Sequence, residues 1–124
     1  MRLENEKNKN TFVYALRGIK KAIKSERNLK IDCIAALLVI LFGFLFKINT
    51  NEWIICILLI GIVLFAELMN TAIETVVDMY TRQKNPLAEK AKDVAAGSVL
   101  IIAIISAIIG CIIFIPEILI LFNM

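Results

Sequence analysis

Residues 67–78 read Glu67-Leu-Met-Asn-Thr-Ala-Ile-Glu-Thr-Val-Val-Asp78, and they follow a run, 53–66, without one charged side chain. Three acids and an amide at the end of so apolar a stretch decide how the chain folds. An ionised group costs about 2.5–3.5 kcal/mol at the centre of a membrane helix, so it needs a partner or a job. At about 100° per residue, Glu67, Asn70, Thr71, Glu74 and Asp78 share one helix face. That face must look at other helices or at a water-filled pocket, not at lipid.

The rest of the chain agrees with a membrane setting. It has 124 residues, of which 60% are hydrophobic, and a mean hydropathy of +0.82. The apolar residues come in long blocks. The first 30 residues are polar and charged and show no cleavable signal peptide, so insertion is expected to use the internal segments. Cys33, Cys56 and Cys111 all lie in apolar segments, form no CxxC pair and read as small buried hydrophobes. There is no histidine, so acid–base or metal chemistry falls to carboxylates.

Reading outward from residues 67–78, one domain over 1–124 is expected, with a solvated start over 1–10. Residues 11–30 predict an amphipathic surface helix. Phe12, Leu16, Ile19 and Ile23 form its apolar stripe, and Arg17, Lys20, Lys21 and Lys24 its basic side, suited to an anionic membrane surface. Glu26 extends the apolar stripe and so breaks its pattern. Three membrane helices are predicted over about 31–48, 53–80 and 92–115, with Trp53 as an interfacial aromatic, a polar loop over 81–91, and Pro116 ending the last helix. Lys and Arg concentrate before residue 31 and again over 82–92, with only Lys47 between. The positive-inside rule then puts the N-terminus in the cytoplasm and the C-terminus outside.

On this topology Glu67–Asp78 sits at the cytoplasmic end of the second span. Lys92 and Asp93 open the third at the same depth, and the surface helix brings Glu26 to the same leaflet. Helix–helix glue accounts for two or three of these groups but not for a surplus of acids, which repel one another unless a cation sits among them. Carboxylate and amide oxygens without soft ligands suit Mg²⁺, which takes one or two carboxylates and leaves positions for water and phosphate. The residues alone thus reach a Mg²⁺–phosphate site at the inner membrane surface. They identify no nucleotide fold, because the chain has no GxxxxGK[ST], no GxGxxG and no kinase catalytic loop.

ELMNTAIETVVD followed by AEKAKDVAAGSVL, with RGIKKAIKSERNLKID ahead and three spans, resembles the small bacterial integral-membrane lipid kinases, the prokaryotic diacylglycerol kinase and undecaprenol kinase family. The resemblance runs over nearly the whole chain. It implies a homotrimer of subunits with three membrane helices and one surface helix, active sites built from neighbouring subunits, and transfer of the γ-phosphoryl group of MgATP to a lipid hydroxyl. It makes Glu67 the general base and Glu26 and Glu74 the Mg²⁺ ligands at the nucleotide phosphates. Lys92 and Asp93 contact the nucleotide, and Tyr14 lies near the base. Asn70 and Asp78 orient or complete the site, and Gln83, Lys84 and Asn85 touch ATP. Trp53 and Ala96 are expected, with Glu67, to contact the lipid substrate. Members often carry histidine near Asn85, which this chain lacks.

Val94-Ala95-Ala96-Gly97 resembles the undecaprenol kinase branch, so undecaprenol is the expected acceptor and diacylglycerol the alternative. Ala103, Ser106, Ala107 and Gly110 read as ordinary close helix packing. Two rival classes exist. A small multidrug-type transporter normally needs four spans and a midplane acid. A purely structural oligomer leaves the acid surplus unexplained.

Overall fold

The computed structural model describes residues 10–123, so the solvated start expected over 1–10 lies, apart from Asn10, outside the described residues. The fold is all-helical: α1 Thr11–Ser25, α2 Arg27–Leu45, α3 Thr50–Tyr80 and α4 Pro86–Leu121. Each boundary has a local cause. Asn10 Oδ1 accepts from Phe12 N–H at 2.9 Å and starts α1. Asn49 and Glu52 form a reciprocal capping box, so α3 begins at Thr50 rather than at the expected residue 53. Asn85 Oδ1 accepts from Leu87 N–H at 3.0 Å and Ala88 N–H at 3.2 Å. Pro86 follows at the first helical position, where no N–H is missed.

Three further expected limits are corrected. The surface helix does not run to residue 30. Glu26 takes extended backbone (φ −108°, ψ 115°), closes α1 with its N–H on the Ala22 carbonyl, and hands the chain to α2. The corner lets Leu29 turn into the bundle, where it is 1% exposed, the most buried residue described. The loop expected over 81–91 shrinks to 81–85, because Asn85 and Pro86 are a helix start and not a break. Pro116 does not end α4, which continues to Leu121. An internal proline deletes one ladder bond, and apolar membrane helices tolerate that loss.

α2 has 19 residues, α3 31 and α4 36, and all three are long and apolar enough to cross a membrane. At 1.5 Å per residue they measure about 28, 46 and 54 Å, against a hydrocarbon core of about 30 Å. α2 just spans, while α3 and α4 overhang it. Many large hydrophobics face outward, Phe44 at 70% and Ile101 at 63% exposed, as expected of a surface that meets lipid or other helices and not water.

The short turn after α2 folds α3 back beside it. Lys47 takes positive φ (53°), and Ile48 N–H reaches the Gly43 carbonyl at 3.1 Å, a closure that caps the orphan carbonyls of α2. Beside it Ile48, Cys56 and Ile113 form a buried cluster with Val39, Phe46, Trp53, Ile109 and Phe114 packed around it. The Trp53 ring lies on Gly43 so closely that a Cβ there would stand 2.6 Å from it. At the other end α1 lies against α3, with Ala15, Gly18, Ala22 and Ser25 facing Leu68, Thr71, Ala72 and Thr75. The described cysteines are all free thiols.

Candidate active site

Glu67 is the one charged or polar residue buried among those described, 5% exposed. It stands just past the middle of α3, where α1, α2 and α3 meet. Its carboxyl and that of Asp32 on α2 face each other within hydrogen-bonding reach, and Glu26 and Glu74 are near enough to bear on its charge. Glu26 gets there because it occupies the α1–α2 corner, and its side chain caps neither helix. One turn beyond Glu67, Asn70 Nδ2 donates to Glu74 Oε1 at 3.2 Å. That bond fixes the amide and leaves Asn70 Oδ1 buried without a partner.

The one ion pair among the described residues is Lys92 Nζ to Asp78 Oδ1, 2.5 Å, with both side chains about a third exposed. It lies farther along the same face. Asp78 is eleven residues from Glu67, about 16 Å along the axis. Lys92 is therefore engaged at Asp78, and among the described residues none of the acids around Glu67 forms an ion pair. Hard oxygen donors in surplus, with an orphaned amide oxygen among them, fit a divalent cation such as Mg²⁺. Among the described residues no three Asp, Glu, Cys or His side chains already form a metal cage. A cation held by two carboxylates and otherwise by phosphate and water needs no such cage.

The remaining expected residues separate into near and far. Asp93 is exposed beside Lys92. Tyr14 is half-buried on α1, with the Arg17 guanidinium 5.7 Å from its ring centroid. Gln83 and Lys84 are exposed in the turn, whereas the Asn85 side chain is engaged in capping α4. Ala96 is exposed on α4. Trp53 is not brought to the acids. Fourteen residues of α3 separate it from Glu67, about 21 Å, and it packs on Gly43 and on Phe44 (centroids 4.9 Å apart).

Two features escaped the sequence reading. Asp32 counted there only as part of a membrane span, since one acid near the start of an apolar run has no periodic partner on its own helix. Ala103, Ser106 and Gly110 face α2 and α3 across a space and not only at a packed seam. They line an apolar groove of about 250 Å³ between α2, α3 and α4, with Ala35, Ala36, Ile60 and Leu64, and with Asp32 among its lining residues. Ser106 Oγ is buried there without a partner. An acidic cluster thus adjoins an apolar groove in a membrane-spanning chain.

A family model described as prokaryotic diacylglycerol kinase matches residues 13–114. The chain is 48% identical over 107 residues to the undecaprenol kinase of Bacillus subtilis (strain 168), covering 86% of this chain and 87% of that one. It is 36% identical over 110 residues to a diacylglycerol kinase of Synechocystis, covering 88% of this chain and 63% of that one. It is 34% identical over 106 residues to the diacylglycerol kinase of Haemophilus influenzae, covering 85% and 90%.

Proposed function

The chain belongs to the prokaryotic diacylglycerol kinase family, and we propose that it is a membrane lipid kinase that transfers the γ-phosphoryl group of ATP to undecaprenol, giving undecaprenyl phosphate. The observation that carries the reaction is Glu67, buried among further acids and next to an apolar groove. The 48% identity to an undecaprenol kinase favours the acceptor. Phosphorylation of diacylglycerol to phosphatidic acid is the second reading, favoured by the names of the other relatives. Family membership removes the transporter reading.

The roles follow from the chemistry. Phosphoryl transfer needs positioning and charge neutralisation more than covalent help. Glu67 accepts the proton of the lipid hydroxyl as that oxygen attacks phosphorus. Asn70 holds Glu74 in place. Glu26 and Glu74 hold Mg²⁺, which when bound neutralises charge on the nucleotide phosphates. Lys92 and Asp93 contact the nucleotide, with Asp78 orienting Lys92, and Tyr14 lies near the base. Of Gln83, Lys84 and Asn85, the first two are free to reach ATP from the turn. Trp53 and Ala96 touch lipid along the exterior. The groove beside Glu67 admits the acceptor chain and is where the two lipids are told apart.

The assembly belongs to the same proposal: one domain over 1–124, three such subunits with active sites shared between them, and α1 lying on the inner leaflet. The N-terminus faces the cytoplasm and the C-terminus the outside. The bland reading of the acids, helix–helix glue, predicts no turnover at all. Purified protein with labelled ATP, Mg²⁺ and either undecaprenol or diacylglycerol decides it. Labelled lipid from both, with undecaprenol preferred, is the expected result. Absence of any labelled lipid overturns the reading. Subunits carrying Glu26→Gln mixed with subunits carrying Glu67→Gln should recover part of the activity if sites are shared, and none if both groups come from one chain.

A further inference from the structure

Asp32 is an ionisable group without an evident structural purpose. It is six residues into α2, past the first turn, so it caps nothing, and among the described residues it has no Lys or Arg partner. It lines the apolar groove between α2, α3 and α4, where an acid without a task is costly. One turn before it, Leu29 is fully buried and anchors the start of α2. On the following turn Ala35 and Ala36 are small and leave the groove open. Its carboxyl meets that of Glu67 across the α2–α3 interface.

Glu67 itself is almost wholly buried but does not line the groove. A glutamate has three rotatable side-chain bonds. A base must stand within about 2.6–3.2 Å of the proton that it takes, and a misplacement of about 1 Å can cost about 10²-fold in rate. Some neighbour must hold this carboxyl. Glu67 comes from the long α3 and Asp32 from α2, so their contact also ties the base to the helix that forms the groove's other wall.

We infer that Asp32 is a positioning residue of the transfer site: its carboxyl keeps the one proton that the facing pair shares, donates it as a hydrogen bond to the ionised Glu67, and so holds that base beside the groove that receives the acceptor lipid. The inference rests on Glu67 being the base. It requires that Asp32 act through Glu67 and not on the nucleotide.

A double-mutant cycle tests it in the full-length protein with undecaprenol as acceptor. Asp32→Ala should lower kcat at least about 10-fold and leave KM for ATP within about twofold. Asp32→Asn keeps a side-chain amide that can donate to Glu67, so it should restore kcat to within a few-fold of the parent. In a Glu67→Gln background, Asp32→Ala should add less than about twofold, because the group through which it acts is gone. If the alanine variant does not purify folded, Asp32→Leu, which fills the same apolar groove, takes its place with the same expectations. Parental kcat in a folded Asp32→Ala or Asp32→Leu protein overturns the inference while leaving Glu67 as base. Losses that multiply in the double variant overturn it too, as does a raised KM for ATP at constant kcat. Near-parental turnover of Glu67→Gln alone removes the base assignment and the inference with it.

Discussion

At the end of the bundle near Trp53, the described contacts close on themselves. An indole ring fills the notch at Gly43, Asn49 and Glu52 satisfy each other's backbone, and Phe42, Phe46 and Phe114 pack in tilted and T-shaped pairs with centroids 6.2–6.4 Å apart. At the end near Glu67, little closes. Two carboxyl groups face each other, Asn70 Oδ1 is buried and unpartnered, and Glu26 spends its side chain on neither helix it borders. A buried polar group without a partner costs about 1–3 kcal/mol, a loss a fold avoids wherever it has the choice. The first end therefore serves stability. The second holds groups in reserve for something that arrives.

The largest effect should come from breaking the second end without touching the first. Glu67→Gln keeps shape and removes proton acceptance, so turnover should fall by about 10²–10⁴. Thermal stability in detergent and ATP binding should stay near parental. Turnover close to that of the parent, in a folded protein, would remove Glu67 as base. Glu26→Gln and Glu74→Gln should each raise the Mg²⁺ concentration needed for half-maximal activity, since each removes a hard oxygen ligand. An unchanged Mg²⁺ titration midpoint in both would show that neither carboxylate binds the metal.

The first end should respond in the opposite way. Gly43→Ala drives a methyl group into the Trp53 ring, and overpacking of this kind costs about 1–3 kcal/mol. The midpoint of unfolding should drop while the kcat of the folded fraction holds. A lowered kcat with normal stability would mean that the two ends are coupled. Asn49→Ala removes one half of the capping box and should cost about 1 kcal/mol, again without a change in KM for ATP. The smallest stability effect is expected at Lys92→Ala. Its ion pair with Asp78 is partly exposed, and pairs in such settings contribute about 0–1 kcal/mol. Its KM for ATP should nevertheless rise on the proposed reading, in which Lys92 contacts the nucleotide. A change in melting temperature with KM unchanged would make the pair structural.

Much of the candidate site was legible because it lies on one helix. Glu67, Asn70, Glu74 and Asp78 repeat at three- and four-residue spacings, so their shared face follows from helical geometry. The Asn70–Glu74 bond is that spacing realised. Asp32 was illegible for the complementary reason. Its partner lies on another helix, thirty-five positions away, and no periodicity links them. Trp53 shows the reverse case. An aromatic at a helix start suits a membrane interface, and only packing reveals that its ring fills the gap at Gly43.

The sequence by itself determined the all-helical class, the three apolar spans and the acidic face, because hydrophobic run length and helical period are local properties that hold whatever the neighbours do. The helix limits at Glu26 and Pro116 were decided by tertiary structure. At the first, extended backbone lets Leu29 enter the bundle. At the second, an apolar helix end accepts a missing N–H. The pairing of Asp32 with Glu67 was decided there too, and so was the groove that Ala103, Ser106 and Gly110 help to line. Each depends on which helices lie side by side and at what register, and that is settled by packing over the whole chain, not by any window of it.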